Sequence, residues 1–285
     1  MRRTRRALLR GGGATVAAAA VLGLVVAAAA AVPVLWPHDA MTTTFGSILE
    51  APSLAHPMGT DGVGRDVLAR FGEGARISLL IGLVAVVTGA LAGLLIGLTS
   101  GLAGGAVDEV LMRVMDALMA FPTLMLTMAV TISLGSGLPS ATAGVTIGTI
   151  PWFARVARSE TLRITALPMV EAAVALGMGR ARLIRAHVLP HMVSVLVVQA
   201  TATYGSVILS VAALGFLGLG ARVPTPEWGA MITEGMEPAL TGAWWVAFFP
   251  GLGMLIVVTC TSVLSDRIRD VLDPRGSFSG VKGVT

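Results

Sequence analysis

Charged side chains are scarce in this 285-residue chain: only 13% of residues are Asp, Glu, Lys or Arg, about half the share of a soluble domain. With 55% of residues hydrophobic, too little polar surface remains to solvate a water-soluble fold of this length. There is one cysteine, Cys260, in an apolar run; this excludes a disulfide-stapled scaffold and reads as core packing. There is one lysine, Lys282, within Gly280-Val281-Lys282-Gly283. A phosphate-cradling G-x-x-x-x-G-K-[ST] loop needs a lysine in a frame that this position lacks, so no ATP site of the chain's own is expected. Disorder is excluded by the apolar content, and a collagen-like chain by glycines without a strict period. What remains is an all-α membrane protein with several spans. The net charge of +4 is read for its distribution along the chain, and no nucleic-acid partner is expected.

The runs free of charge are Ala14–Trp36, Ile77–Val107, Ala117–Ala154, Ala186–Ala221 and Pro238–Ser265. A bilayer core takes roughly 20 apolar residues as a helix. The third run, 38 residues long, would reach about 57 Å as one helix, nearly twice the bilayer. Its middle, Gly135-Ser136-Gly137-Leu138-Pro139-Ser140, is a dense turn signal. Splitting it into spans over about 118–134 and 140–157 gives six. The basic residues test this count. With both termini in the cytoplasm, six spans put sixteen inside and four outside, whereas five spans give seven inside and thirteen outside. The first pattern obeys the positive-inside rule. The expected organisation is a basic tail and first helix over 1–36, an external loop over 37–75, a five-helix core over 76–265 and a cytoplasmic tail over 266–285. The core contains a cytoplasmic loop at 158–191. The first run resembles a leader in its arginines and small residues, but it is 23 residues long and ends at Trp36. A span is expected there.

No Asp, Glu, Lys, Arg or His lies well inside any of the six spans. Proton-coupled carriers, voltage sensors and intramembrane metalloproteases need such groups at membrane depth. Gly135-Ser136-Gly137 has no span histidine to activate its serine and reads as a turn. The spans are instead rich in small residues, among them Gly89, Ala92, Gly93, Gly97 and Gly101, which let helices approach closely in lipid. A path between rigid bundles fits this composition, with its energy supplied by another subunit. The alternative is a stand-alone secondary transporter or channel, and the buried carboxylate or gating charge that would favour it is not in the sequence.

The longest cytoplasmic connection carries its own helix signals. Pro168 suits a helix start, Glu171 its positive end and Gly177 its stop. Val170, Ala173, Val174 and Gly177 share one face, which can lie close against another protein or rest on the membrane surface. The pattern Glu171-Ala172-Ala173-x3-Gly177-x9-His187-x-Leu189-Pro190 resembles the E-A-A motif of ABC-importer permeases. The resemblance implies that this loop docks on a cytoplasmic ATPase through Glu171, Ala172, Ala173, Gly177, His187, Leu189 and Pro190. His187 stands where the general pattern has Ile. With His191 as its only histidine neighbour and no third ligand nearby, no metal is expected there.

A second block lies outside, between spans one and two: His56-Pro57-Met58-Gly59-Thr60-Asp61-Gly62-Val63-Gly64-Arg65-Asp66, then Gly74-Ala75-Arg76-Ile77-Ser78-Leu79. It resembles the signature of C-type permeases in the dipeptide/oligopeptide/nickel subfamily. Ala120-Phe121-Pro122, Pro224-Thr225-Pro226-Glu227-Trp228-Gly229 and Asp266-Arg267-Ile268-Arg269-Asp270-Val271-Leu272-Asp273-Pro274 continue it, over about 56–275. The resemblance implies a six-helix, type I (MetI-like) importer permease in the cell membrane. It also implies a second homologous permease, two cytoplasmic ATP-binding subunits that hold the ATP, and an extracytoplasmic binding protein, with no cofactor in this chain. From the residues themselves, Asp61, Arg65 and Asp66 are expected to pair as exposed ions around a compact turn, with Gly59, Gly62 and Gly64 supplying unusual backbone angles. Contact of His56 and this turn with the binding protein is an equal reading.

Overall fold

The computed structural model describes residues 2–272, with side chains over 12–271. The basic residues of the first ten positions and the segment 273–285, including Lys282, lie outside the described side chains. The elements are all helical: α1 (Arg2–Leu35), α2 (Val67–Ala103), α3 (Gly105–Met119), α4 (Thr123–Leu134), α5 (Leu138–Thr165), α6 (Pro168–Ala175), α7 (Arg180–Leu183), a π turn (Ile184–Val188), α8 (Leu189–Phe216), α9 (Trp228–Leu240) and α10 (Trp245–Leu272).

Among the described residues, four helices are long and apolar enough to cross a membrane: Gly12–Leu35, Val67–Ala103, Arg180–Phe216 and Trp245–Val271. A fifth span exists if α3 and α4, which meet at 94°, count as one broken crossing. The 28-residue α5 is long enough, but its Thr, Gly and Pro residues and its arginines from Arg155 onward make it too polar to join them by composition. Several boundaries differ from the sequence expectation. The loop expected outside ends at Asp66 rather than 75, because the Asp66 carboxylate caps α2 by accepting from the Ala69 N–H at 2.7 Å. The run expected as one span over Pro238–Ser265 is divided between α9 and α10, with Gly242 at φ +103° in the turn.

The centre of the bundle is the pairing of α2 with α5, which run parallel. Gly89, Gly93, Gly97 and Gly101 of α2 recur every four residues and face Thr149, Phe153, Ala157 and Thr161 of α5. A Cβ at Gly97 would lie 2.5 Å from the Ala154 carbonyl oxygen and 2.5 Å from the Ala157 Cβ. Between helices in lipid there is no hydrophobic drive, so dispersion across such tight seams carries the packing. The small residues of α2 therefore act as expected. Around this seam, α1 packs on α2 and α10, and α8 packs on α2, α5 and α10. Near the outer block Trp228, Met231, Leu79, Ile208 and Val257 form one cluster. At the opposite end Ala157, Ile164, Val170, Ala173, Val188 and Met192 form another.

Candidate functional site

The loop between α5 and α8 folds as its signals dictate. Pro168 opens α6, Glu171 sits in its first turn and Gly177 follows its end at φ +82°. The stop is a full Schellman arrangement: Gly177 N–H donates to Val174 O at 2.9 Å and Met178 N–H to Ala173 O at 3.0 Å. Only glycine adopts this left-handed angle without strain, and no atom lies within 4 Å of where its Cβ would be.

The orientation of α6 corrects the sequence expectation. Val170 and Ala173, predicted to meet a partner, are buried in the chain's own cluster against Ala157, Ile164 and Met192. Ala173 is 8% exposed. The expected stripe is divided: its Val174 and Gly177 are exposed together with Glu171, Ala172, Ala175 and Leu176, the last at 89%. Periodicity grouped the four residues, but it could not say that Val170 and Ala173 alone turn inward onto this chain. His187 lies half-buried inside the π turn that joins α7 to α8, and its carbonyl is 2.7 Å from His191 Nδ1. Leu189 and Pro190 form the first turn of α8.

The outer block is a buried ion network rather than an exposed pair. Asp61 Oδ1 accepts from the Val63 and Arg65 N–H groups at 3.0 and 2.9 Å, and its Oδ2 pairs with Arg65 Nε at 2.7 Å. Arg70 Nε lies 3.4 Å from the same Oδ2. Glu234, on α9, closes the network from the far side, with Oε2 2.7 Å from Arg65 Nη2 and 2.9 Å from Arg70 Nη2. Two guanidinium groups thus balance two carboxylates, and Arg70 is only 1% exposed. Arg70 also donates to Pro224 O at 3.2 Å. Arg70 and Glu234 were not singled out from the sequence, since nothing in a linear reading pairs positions so far apart.

Asp66 does not join that pairing. Its Oδ1 accepts from Trp36 Nε1 at 3.1 Å and caps α2, while Oδ2 lies 2.7 Å from His56 Nδ1. His38, His56 and Asp66 bring possible ligand atoms within 4.8 Å of one another. Each Asp66 oxygen is already engaged, however, so the cluster is accounted for as a hydrogen-bonded cap that ties α1 to α2. Gly59 and Gly64 take φ +73° and +77°, as expected for this turn, whereas Gly62 does not adopt a positive φ. Gly59 is also pressed against Trp245, whose Nε1 donates to Thr60 O at 3.0 Å.

Beside the network, Glu227 caps α9. It accepts from the Gly229 and Ala230 N–H groups at 2.9 and 3.0 Å and from Ser78 Oγ at 3.0 Å. Burial pushes its carboxyl up, against the lowering effect of these three hydrogen bonds. Residues of the blocks at 56–79 and 224–229 thus meet in one place, where Trp228 Nε1 also donates to Phe71 O at 3.2 Å.

Three comparisons bear on this arrangement. The family model for the binding-protein-dependent transport system inner membrane component matches residues 93–277. The dipeptide transport system permease protein DppC of Escherichia coli strain K12 is 44% identical over 226 residues, covering 79% of this chain and 75% of that protein. The glutathione transport system permease protein GsiD of Salmonella typhimurium strain LT2 is 43% identical over 242 residues, covering 85% and 80%. Among solved structures, an inward-facing conformation of the MetNI methionine ABC transporter matches with a TM-score of 0.58 at 21% identity, covering 70% of this chain and 94% of that one. That likeness shows a shared fold.

Proposed function

This chain belongs to the family of binding-protein-dependent transport system inner membrane components, and from that premise we propose that it forms half of the membrane path of an ATP-driven importer for dipeptides or related small peptides. It is a multi-pass membrane permease, and the ATPase of such a system is a separate subunit. The peptide assignment is supported by the dipeptide and glutathione permeases to which it is similar. In this reading a second homologous permease completes the path. Two cytoplasmic ATP-binding subunits drive it, and an extracytoplasmic binding protein delivers solute to the side of the Asp61–Arg65–Arg70–Glu234 network. Both termini and residues 158–191 lie in the cytoplasm, and α4 and α5 complete six spans.

The observation that carries the coupling role is α6. Val170 and Ala173 anchor it to the bundle, while Val174 and Leu176 stand exposed in a basic connection. An exposed apolar face on a helix fixed by its opposite side is a surface prepared for a partner. The test is uptake of labelled alanyl-alanine and of glutathione by proteoliposomes holding the full complex. ATP-dependent uptake that needs the binding protein is expected. Uptake by this chain alone, driven by an ion gradient, would establish the stand-alone transporter instead.

A further inference from the structure

The proposed function leaves open which side chains the solute passes, and α8 supplies an answer. Gln199, Thr203, Ser206 and Ser210 fall at i, i+4, i+7 and i+11, so they form one polar stripe along α8. None of the four is buried within the chain. Beside the stripe lies a cavity of about 420 Å³, into which Thr203, Ser206 and Ser210 open together with Thr123 of α4 and Thr149 and Trp152 of α5.

The polar groups here differ in how they are satisfied. Ser206 Oγ donates to Thr203 O at 2.7 Å, Ser210 Oγ to Ser206 O at 2.9 Å and Thr149 Oγ1 to Thr146 O at 2.8 Å. Their protons are turned back onto their own helices, which leaves the oxygens as acceptors for the cavity. The Gln199 amide, the Thr203 and Thr123 hydroxyls and the half-exposed Trp152 indole N–H have no hydrogen-bond partner among the described residues. An amide or indole N–H left unpaired against lipid costs free energy, so this face is not a lipid face.

We propose that the Gln199–Thr203–Ser206–Ser210 stripe of α8, with Thr123, Thr149 and Trp152, is the wall along which the solute crosses. The inference rests on the reading of the chain as a permease. The wall carries no titratable group. It therefore meets a solute through hydrogen bonds alone, offering acceptors to ammonium and amide N–H groups and the Gln199, Trp152 and free hydroxyl donors to carbonyl and carboxylate oxygens. That chemistry suits the backbone of a small peptide, which every such solute shares. It also lacks the charge that would hold a zwitterion in place and stop its release.

The test uses the complete complex with Cys260→Ser in this chain and single cysteines at Thr203, Ser206 and, as an exposed apolar reference on α2, Leu91. Two wall positions are used so that one failing to assemble leaves the other. Because a water-borne cationic thiol reagent reacts with thiolate, which apolar surroundings suppress, labelling at 203 and 206 should be about tenfold faster than at 91. Alanyl-alanine supplied with the binding protein should slow it. Labelling no faster than at position 91 would overturn the proposal and assign the stripe to the contact with the second permease. Fast labelling that alanyl-alanine leaves unchanged, in a complex that imports it, would overturn the solute role. If the wild-type complex imports neither alanyl-alanine nor glutathione, the proposed function fails instead, and labelling at 203 and 206 alone decides whether this face is a water-filled wall.

Discussion

Arg70, in the first turn of α2, and Glu234, on α9, meet at 2.9 Å across 164 residues of sequence. With Arg65 and Asp61 they pin the loop between α1 and α2 to the last third of the chain. The network is balanced, so its loss is costly mainly when one member is removed and the others stay buried. Arg70→Leu leaves two carboxylates facing a single guanidinium and should destabilise the chain by about 3 kcal/mol. Thermal unfolding in detergent measures this, and an unchanged Tm would contradict the network's structural role.

The α2–α5 seam gives the sharpest contrast between glycines. Gly97→Leu forces a side chain against the Ala154 backbone and the Ala157 Cβ and should cost about 1–3 kcal/mol or more. Gly23→Ala, on α1 with nothing within 4 Å of its Cβ, should be neutral or stabilising by up to about 1 kcal/mol. The relative Tm values of the two variants decide whether close approach, rather than glycine content, holds the bundle.

Glu227 should leave a mark on the pH profile of stability. Its folded carboxyl is held above the ordinary 4.5, so between that value and the raised one the folded state binds more protons than the unfolded state. Stability is then fully present below the ordinary value and falls as pH rises through the folded one. Glu227→Gln should flatten that decline in unfolding scans taken from acid to neutral pH. A parallel decline in the variant would assign it to another group.

The all-helical class, the tight small-residue packing and the Gly177 stop were legible because each is local: a run length, a four-residue spacing, a glycine after a helical stripe. Which way α6 faces was not, since Ala173 packs on Ile164 and Met192, residues of two other helices. The outer turn was read as exposed because Arg70 and Glu234 lie on helices that only the fold brings together. The separation of α9 from α10 was hidden by the uninterrupted apolar composition of Pro238–Ser265. The stripe on α8 was present in the sequence, but four neutral residues show as a wall only when a cavity lies beside them.

The orientation proposed from the basic residues can be checked directly. In a Cys260→Ser background, a cysteine at Ser47 should react with an impermeant reagent added outside intact cells. A cysteine at Ser159, exposed at the inner end of α5, should not. Labelling of Ser159→Cys from outside would refute the six-span arrangement.

The most direct measurement is ATP-dependent uptake of alanyl-alanine by the complete complex carrying Leu176→Glu in this chain. Leu176 is 89% exposed, so the substitution leaves the packing of Val170 and Ala173 intact and places charge on the free face of α6. If that face docks on the ATPase, assembly of the two permeases should persist while uptake and binding-protein-stimulated ATP hydrolysis fall together, by about tenfold or more, as a charge buried unpaired in an interface requires. Uptake at the wild-type rate, in a variant assembled to the wild-type level, would contradict the coupling role of this helix.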